Sequence, residues 1–275
     1  MLNVISQKKE YINKLKLSYL KSTSPQRSKT GFLKGIILFF LFLIIAPADF
    51  ITAQTTSQKK YKFSEVYDLS YGINIYEKLV LALEGDSVRN DKRGYAAEGW
   101  IEDYYDTGKL LHKGYYSQGK LKLFKNYFEN GQVERNFKII DFNKSSVDIF
   151  YIHGQIKSQI EYYRATTVKE QDFFSDGKIE YIEEMSKDNE SLSQRKSYFE
   201  NGSPQSIFEL TDKKKKIYSQ KEFYETGNLK EEGAMQYNKA SLDYVKEGVW
   251  KTYDDKGKLL NEEIYIAGEL NKKIK

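Results

Sequence analysis

Cysteine is absent from this chain of 275 residues, and proline, methionine, tryptophan and histidine are scarce, with three, three, two and two copies respectively. Without cysteine, the protein has no disulfide bonds, no thiolate metal ligands, no cysteine nucleophile and no cysteine for lipid attachment. His112 and His153 lie far apart in the sequence, so we expect each to be a solvated strand or turn residue. The composition therefore predicts no metal site.

A hydrophobic run long enough to cross a bilayer is missing as well, because the apolar run from Ile36 to Ala46 is too short. Eight lysine and arginine residues precede this run, and small residues follow it at 46–48 and 52–53. This order is typical of a secretory signal. We predict that residues 1–53 form such a signal and that the protein is exported to the periplasm or the cell surface. The alternative is an uncleaved segment that anchors the protein in the membrane.

A strong charge of either sign is missing from the rest of the chain. The first 53 residues contain eight of the 44 basic and two of the 39 acidic side chains, which leaves 36 basic and 37 acidic side chains after them. The formal charge of +5 therefore comes from the predicted signal. A nearly neutral protein is a poor match for a polyanion, so we predict no nucleic-acid partner.

Tyrosine and phenylalanine, in contrast, are abundant, with 23 and 16 copies, and they recur in one short phrase. The phrase contains two aromatic residues (one in the last copy, where Asp254 replaces the second), two mostly polar residues, glycine, another residue and usually an aliphatic one. It occurs eight times, as YYDTGKL (104–110), YYSQGKL (115–121), YFENGQV (127–133), FYIHGQI (150–156), FFSDGKI (173–179), YFENGSP (198–204), FYETGNL (223–229) and YDDKGKL (253–259). Repeated units are stable only when they pair with their neighbours, and a repeat spreads like residues along a line. The repeat therefore indicates a non-enzymatic protein, without catalytic residues or a cofactor.

The spacing of the glycines predicts a continuous meander of short antiparallel strands with a reversal about every dozen residues. A polar pair before glycine is typical of a type I turn with a G1 bulge. In that register, the residue four before each glycine lies across from the residue two after it, and such aromatic–aliphatic pairs stabilise a sheet. The predicted pairs are Tyr104–Leu110, Tyr115–Leu121, Tyr127–Val133, Phe150–Ile156, Phe173–Ile179, Tyr198–Pro204, Phe223–Leu229 and Tyr253–Leu259.

The second aromatic of each phrase points to the opposite face of the sheet, so both faces are rich in aromatic rings. We therefore predict an all-β fold: an elongated antiparallel β-meander of hairpin repeats that is largely a single-layer sheet. Exposed aromatic surface often marks a binding site. The candidate binding residues are Tyr105, Tyr116, Phe128, Tyr151, Phe174, Phe199 and Tyr224.

Residues 54–97 precede the repeats and are predicted to form a linker and a helical cap. Ile73, Tyr76, Val80 and Leu83 have helical spacing, and Gly85 is a suitable stop signal. Since the terminal unit of a repeat array needs its edge shielded, we expect a short helix that caps the open end. The repeat domain itself is assigned to residues 98–275.

The segments EGWIEDYYDTGKLLHKGYYSQGKL at 98–121 and EGVWKTYDDKGKL at 247–259 carry a family resemblance. They resemble the bacterial MORN-variant repeat of YwqK-type antitoxin-like proteins. The resemblance covers about residues 98–270 and implies an elongated antiparallel β-sheet with a binding role, and no catalytic residues carry over. A cytoplasmic antitoxin role conflicts with the predicted secretory signal.

These observations favour an exported, non-enzymatic binding or scaffold module for a protein or glycan partner in the cell envelope. One alternative is a membrane-surface adaptor that contacts anionic lipid through the exposed run Lys213, Lys214, Lys215 and Lys216. The least favoured alternative is an envelope enzyme that acts on polysaccharide, with a carboxylate pair such as Glu183 and Glu184.

Overall fold

The structure is a computed structural model that describes residues 59–275. The predicted signal or anchor at 1–53 lies outside the described residues. Within 59–275, no helix is long and apolar enough to span a membrane. The described chain forms one sheet of 16 strands: β1 Lys60–Tyr61, β2 Gly99–Tyr105, β3 Leu110–Ser117, β4 Lys120–Tyr127, β5 Val133–Ile139, β6 Lys144–Phe150, β7 Ile156–Tyr163, β8 Thr166–Phe173, β9 Ile179–Met185, β10 Leu192–Tyr198, β11 Pro204–Asp212, β12 Ile217–Phe223, β13 Leu229–Asn238, β14 Asp243–Tyr253, β15 Leu259–Ile266 and β16 Glu269–Lys273.

The sheet follows the order of the chain, and the predicted all-β meander is confirmed. Neighbouring strands from β2 to β16 are antiparallel; each strand from β2 to β15 pairs with the strand before and the strand after it, and β16 pairs with β15. Strand β1 runs parallel to β2, with Lys60 opposite Tyr104 and Tyr61 opposite Tyr105. This two-residue strand therefore pairs with part of the outer edge of β2, which would otherwise present unpaired backbone groups.

The turns at one edge of the sheet, which we call the glycine edge, have the predicted geometry. At the first of them, the Gly108 N–H donates to the Tyr105 carbonyl at 2.9 Å, the Tyr105 N–H donates to the Lys109 carbonyl at 2.8 Å, and Gly108 has φ +83°. This is a type I turn followed by a glycine bulge. The same register confirms seven predicted pairs: Tyr104–Leu110, Tyr127–Val133, Phe150–Ile156, Phe173–Ile179, Tyr198–Pro204, Phe223–Leu229 and Tyr253–Leu259.

The predicted pair Tyr115–Leu121 is wrong. Tyr115 lies opposite Leu123, and Tyr116 lies opposite Leu121. The reason is that Gly119 belongs to the other edge of the sheet, where Gln118 and Gly119 form a two-residue turn with φ +53° and +71°. Two consecutive positive φ values define the tight hairpin turn whose twist matches that of the strands.

The single helix predicted across 73–83 is also wrong. This stretch contains two one-turn 3₁₀-helices, Glu77–Leu79 and Leu81–Leu83, and a four-residue α-helix, α1, lies earlier at Phe63–Val66. The 3₁₀ turns are separated because Val80 is extended, with φ −100° and ψ 105°, and its side chain is completely buried.

Residues 59–97, which we call the N-terminal layer, do more than protect the edge. They pack on one face of β2–β7, which we call the layered face, and the other face is the open face. In β2, Ile101 and Asp103 belong to the layered face, and Trp100 and Glu102 to the open face. The buried core is formed by Val66, Ile73, Tyr76, Leu79, Val80, Ala97, Tyr105, Leu111, Tyr116, Leu121, Phe124, Phe137 and Val147.

From β10 onward, the described residues supply no second layer, as predicted for a largely single-layer sheet. The small cluster in this part contains Leu192, Phe208 and Tyr218, with partly buried neighbours such as Met235 and Tyr244. All of these residues come from the strands and their turns, so the sheet stabilises this part through contacts within its own surface.

Candidate functional site

The second aromatic row of the repeats is divided between the core and the surface. Tyr105, Tyr116 and Phe128 are buried, with exposed fractions of 0, 0 and 3%. Such rings are out of reach of a partner. The remaining four members are half-buried: Tyr151, Phe174, Phe199 and Tyr224.

Three tyrosines of this row connect neighbouring hairpins. The Tyr105 hydroxyl donates to the Tyr127 carbonyl at 2.7 Å, and the Tyr151 hydroxyl donates to the Phe173 carbonyl at 2.7 Å. The Tyr224 hydroxyl makes the equivalent bond to Tyr253 at 2.9 Å. In each case the acceptor is the first aromatic of the next phrase on the glycine edge. We call this contact the tyrosine staple, and it gives these rings a structural role.

Side chains of the turns reinforce the same edge. Asn201 and Asn228 donate through Nδ2 to the carbonyls of Glu225 and Asp255 in the following turn, at 3.0 and 2.7 Å. Asn130, in an earlier turn of the same edge, donates to the Ile152 carbonyl in the turn that follows it, at 2.9 Å. The glycine edge therefore carries a ladder of side-chain to backbone hydrogen bonds in addition to the sheet itself.

A buried polar network fastens the N-terminal layer to the sheet. Arg89 donates from both terminal nitrogens to the two carboxylate oxygens of Asp103, each at 2.7 Å, and to the Tyr116 hydroxyl at 3.1 Å. His112 joins the Tyr116 hydroxyl through Nε2 at 3.0 Å and the Asn126 amide oxygen through Nδ1 at 2.9 Å. These contacts satisfy polar groups that the layer removes from water.

The expectation that His112 is solvated is therefore wrong, because the N-terminal layer covers it completely. Burial lowers the pKa of His112 to about 4, so its ring is neutral at pH 7. His153, in contrast, is exposed and stacks on the Tyr151 ring. Among residues 59–275, no group of three His, Cys, Asp or Glu side chains converges closely enough to hold a metal ion.

A groove of about 740 Å³, which we call the boundary groove, lies between the N-terminal layer and the strands that follow its core. Phe63 and Tyr67 of the layer line it, and so do the aliphatic side chains of Val147, Ile149 and Ile160 in β6 and β7. This volume is within the range of small-ligand sites. Part of the predicted aromatic row also reaches this groove.

Two of the seven predicted aromatic residues, Phe128 and Tyr151, line the boundary groove. Tyr151 belongs to the half-buried members of the row, whereas Phe128 lies beneath the groove surface. Tyr105, Tyr116, Phe174, Phe199 and Tyr224 do not line it. The structure thus brings two members of the predicted row to this groove and two others, Phe199 and Tyr224, to a second groove of about 560 Å³, and it places the remaining three elsewhere on the sheet.

Buried polar atoms without partners cluster at the boundary groove. Ser158 is 6% exposed, and its hydroxyl has no hydrogen-bond partner among the described residues. Glu134 accepts from the Ile73 N–H at 3.1 Å through Oε1, while its Oε2 has no partner. Arg135 donates to the Tyr71 carbonyl at 2.6 Å, while its Nε has no partner. Three of the four such residues in the described chain therefore line this groove.

The groove has an acidic wall. Glu170, Asp172 and Glu180 line it, and none of the three forms an ion pair or a side-chain hydrogen bond within the described chain. Burial, together with the nearby charges of Asp172 and Glu183, raises the pKa of the Glu170 carboxyl. Lys157 lines the same groove, with its ammonium 6.0 Å from the centre of the Tyr151 ring.

The basic side chains of the groove only partly balance its acids. Five carboxylates line it, and Lys157 and Arg135 are its only cations. Arg135 is already engaged with Glu77 and lies 3.6 Å from Glu134. The uncompensated negative charge is therefore concentrated on the wall formed by Glu170, Asp172 and Glu180.

The predicted lysine run forms the turn between β11 and β12, away from the boundary groove. Lys213 pairs with Asp188, and the Lys216 ammonium lies 5.8 Å from the centre of the Tyr237 ring. Lys214 and Lys215 are exposed. Half of the run is therefore already engaged locally.

Ser158, Glu170 and Asp172 were not predicted as site residues. These residues lie in strands that look like the rest of the repeat, where alternating charge is typical of a solvated surface. Their grouping depends on where the N-terminal layer ends, and the layer is not part of the repeat. A usable signal was the directly opposed pair Glu170–Glu183, because like charges at opposed positions destabilise a sheet.

Comparison with known proteins identifies the MORN repeat variant at residues 219–236 and 246–267. The chain therefore carries MORN-type repeats. The first matched segment covers most of β12 and β13, and the second covers most of β14 and β15. Each match thus corresponds to one hairpin of the glycine edge.

No curated protein matches the chain in sequence. Among solved structures, the chain is similar to the crystal structure of TarM with a TM-score of 0.24 and 11% identity, over 41% of this chain and 20% of that one. It is similar to the crystal structure of TcdB2-TccC3-TEV with a TM-score of 0.18 and 8% identity, over 64% of this chain and 13% of that one. The chain thus spans a fifth or less of either protein, and scores this low say nothing about its fold or function.

Proposed function

We propose that this protein is an exported, non-enzymatic repeat module that binds a protein or glycan partner in the cell envelope, and that its repeats are of the YwqK type. The observation that carries the proposal is the boundary groove. It combines the volume of a ligand site, an apolar floor and buried polar atoms that lack partners. The spacing of the aromatic–glycine phrase supports the repeat type, and the basic and apolar order of residues 1–53 supports export.

The groove favours a protein partner over a glycan. Its lining combines aromatic rings such as Phe63 and Tyr67 with the buried Arg135, and aromatic residues and arginine are enriched at the centre of protein interfaces. The long sheet supplies a rigid support for such a site, because its turns are linked along the glycine edge. A glycan that binds at the same place is the second outcome of the test.

Crosslinking and pull-down of the full chain from the envelope of its own host test this function. The double variant Tyr67→Ala, Ile149→Ala removes part of the apolar lining without changing charge, and we expect it to abolish partner capture. Trp100→Ala alters the exposed open face and is the matched control. Equal capture by the groove variant and the wild type would remove the groove from the proposal. Sequencing the N-terminus of the recovered protein tests export and cleavage in the same sample.

The membrane-surface adaptor remains the second proposal, because Lys214 and Lys215 are exposed at a turn. Sedimentation with anionic vesicles is the measurement. The adaptor function requires that Lys→Gln at all four positions of the lysine run reduces binding, and an unchanged bound fraction would dismiss it.

A further inference from the structure

The floor of the boundary groove places a hydroxyl next to a carboxylate. Ser158 pairs with Ile149 on one side and with Asp172 on the other, and Ile160 pairs with Glu170. Directly opposed residues have their Cβ atoms about 5 Å apart. The floor is therefore aliphatic at β6 and acidic at β8, with the buried Ser158 hydroxyl between the two.

A bound group that suits this floor needs a positive charge and hydrogen-bond donors. The acidic wall disfavours anions, and the unpaired carboxylates of Glu170 and Asp172 favour cations. The Ser158 oxygen is an acceptor without a donor, and an N–H of a cation supplies one. An apolar stem on the cation would pack on Val147 and Ile149.

A metal ion is a poorer match than an organic cation. No three carboxylates of residues 59–275 converge on one point, so the acids do not form a coordination shell. Aromatic rings line the groove as well, and such rings attract ammonium and guanidinium groups through their faces.

We infer that the boundary groove binds an alkylammonium or alkylguanidinium group, the cation of a lysine or arginine side chain, with its nitrogen near Ser158, Asp172 and Glu170 and its stem on Val147 and Ile149. This inference rests on the proposed binding function and specifies the chemistry that the partner presents. A free alkylamine shares that chemistry.

Titration calorimetry of the full chain tests the inference with defined probes. The probes are N-acetyl-lysine methylamide, its arginine analogue, the uncharged N-acetyl-norleucine methylamide, and cadaverine as the free amine. We expect the charged probes to bind and the norleucine probe to bind at least about tenfold more weakly, because it loses the charge-assisted hydrogen bonds. Tighter binding of the blocked amino acids than of cadaverine assigns the site to a polypeptide partner, and the reverse assigns it to a free amine.

Variants that remove an acidic charge from the groove should weaken the binding of the lysine probe, and a variant that removes a basic charge should strengthen it. Glu170→Gln and Asp172→Asn should each weaken the binding of the lysine probe about tenfold. Lys157→Gln removes a competing positive charge and should tighten it about threefold. Glu161→Gln, on the exposed face of the same strand as Ser158, is the matched control and should have no effect.

The hydroxyl is tested separately. Ser158→Ala removes the hydroxyl without adding atoms, and we expect it to weaken the binding of the lysine probe while leaving the thermal stability close to that of the wild type. Ser146→Ala removes the other buried serine hydroxyl without a partner, which does not line the groove, and is the control.

The inference is overturned if the lysine and norleucine probes bind equally, or if binding is unaffected by both Glu170→Gln and Asp172→Asn. The function and the inference fail separately. If Glu170→Gln and Asp172→Asn both still capture the partner, the inferred cation site is wrong and the proposed binding function stands. Selective probe binding without any captured partner keeps the cation site and sinks the function.

Discussion

Strands β2–β7 and strands β10–β16 carry the same aromatic–glycine phrase, yet their layered-face side chains differ. In β2–β7 that face bears Asp103, His112 and Asn126, all completely buried under the N-terminal layer. From β9 onward the corresponding surface bears partly exposed ion pairs, such as that of Arg195 in β10 with Glu183 in β9, whose side-chain exposures are 49 and 26%. The repeat therefore forms a stable sheet both under a second layer and without one. The residues between the phrases differ according to whether the strand is covered by the N-terminal layer.

The uncovered half shields its rings with its own side chains. Trp250 is 3% exposed although no second layer lies over it. The Lys246 ammonium lies 3.9 Å from the centre of a Trp250 ring, and the ring rests on Gly233, where a Cβ would come within 2.3 Å of it. A lysine stem thus covers the indole while its charge pairs with Glu231 at 2.5 Å.

The largest expected effect is the loss of a buried charge partner. Asp103→Ala leaves the Arg89 guanidinium and the Tyr76 hydroxyl without their acceptor, and we expect it to cost the N-terminal half about 3–5 kcal/mol. Glu183→Ala breaks the partly exposed pair with Arg195 and should cost less than about 1 kcal/mol. Hydrogen exchange resolved along the chain measures both. Equal losses of unfolding free energy for the two variants would show that the ion pair under the N-terminal layer contributes no more than the pair on the uncovered part of the sheet.

The next largest effect is a pH dependence of the unfolding free energy in strands β2–β7, which the N-terminal layer covers. The pKa of His112 is about 4 in the folded protein and 6.5 when exposed, so the unfolded chain takes up a proton first as pH falls. Stability from this group is present above pH 6.5 and is lost toward pH 4, with about 2 kcal/mol lost at pH 5. Urea unfolding followed by hydrogen exchange at pH 7 and pH 5 measures it.

Glu134 acts in the opposite direction, because burial raises its pKa and acidification relieves the cost of its charge. Glu134 therefore reduces the net change in unfolding free energy as the pH falls. His112→Gln does not titrate and isolates the histidine contribution. If the unfolding free energy changes equally between pH 7 and pH 5 in the wild type and in His112→Gln, then His112 is not the source of the pH dependence.

The tyrosine staple should contribute similar amounts of unfolding free energy in the covered strands and in the uncovered strands. Tyr105→Phe and Tyr224→Phe each remove one hydrogen bond to a backbone carbonyl, and we expect each to lose about 1 kcal/mol of unfolding free energy. Phe199→Tyr adds a hydroxyl at the equivalent position of another phrase, and a gain of up to about 1 kcal/mol is expected. Denaturant unfolding of the three variants measures the changes. No gain at Phe199 would show that the staple depends on more than the phrase.

The smallest expected effect is at the turns of the glycine edge. Asn228→Ala removes the exposed bond to the Asp255 carbonyl and should cost at most about 0.5 kcal/mol. Exchange rates of the amides near Gly257 report this local change. A cost as large as that of Tyr224→Phe would mean that the turn side chains, rather than the phenols, hold the edge.

Most of the sheet could be predicted from the sequence, because glycine turns and period-two strands are local features. Seven of the eight predicted cross-strand pairs, one of them between Tyr198 and Pro204 and not aliphatic, follow from the phrase alone. The pair at Tyr115 did not, since the same letters around Gly119 form a two-residue turn at the other edge. Composition does not separate the two turn types when a polar pair precedes glycine in both.

The N-terminal layer and the boundary groove could not be predicted in the same way. Ile73, Tyr76 and Val80 have helical spacing, but each is buried against the sheet in a segment that is not one helix. The burial of His112 and the grouping of Ser158 with Asp172 depend on contacts between residues far apart in the chain. Such contacts leave no periodic signal.

The tyrosine staple also restricts how a gene for this protein can lengthen. Each staple joins turns on one edge, 22 residues apart for Tyr105 and Tyr127. A duplication of a whole hairpin places the new turn on that edge, where its phenol finds a carbonyl. A duplication of a single strand moves every later glycine turn to the other edge, so a staple that spans the duplication loses its acceptor, whereas staples between later turns move together and persist. Only an insertion of an even number of strands therefore leaves every staple intact, so the hairpin is the unit that can be added without breaking one.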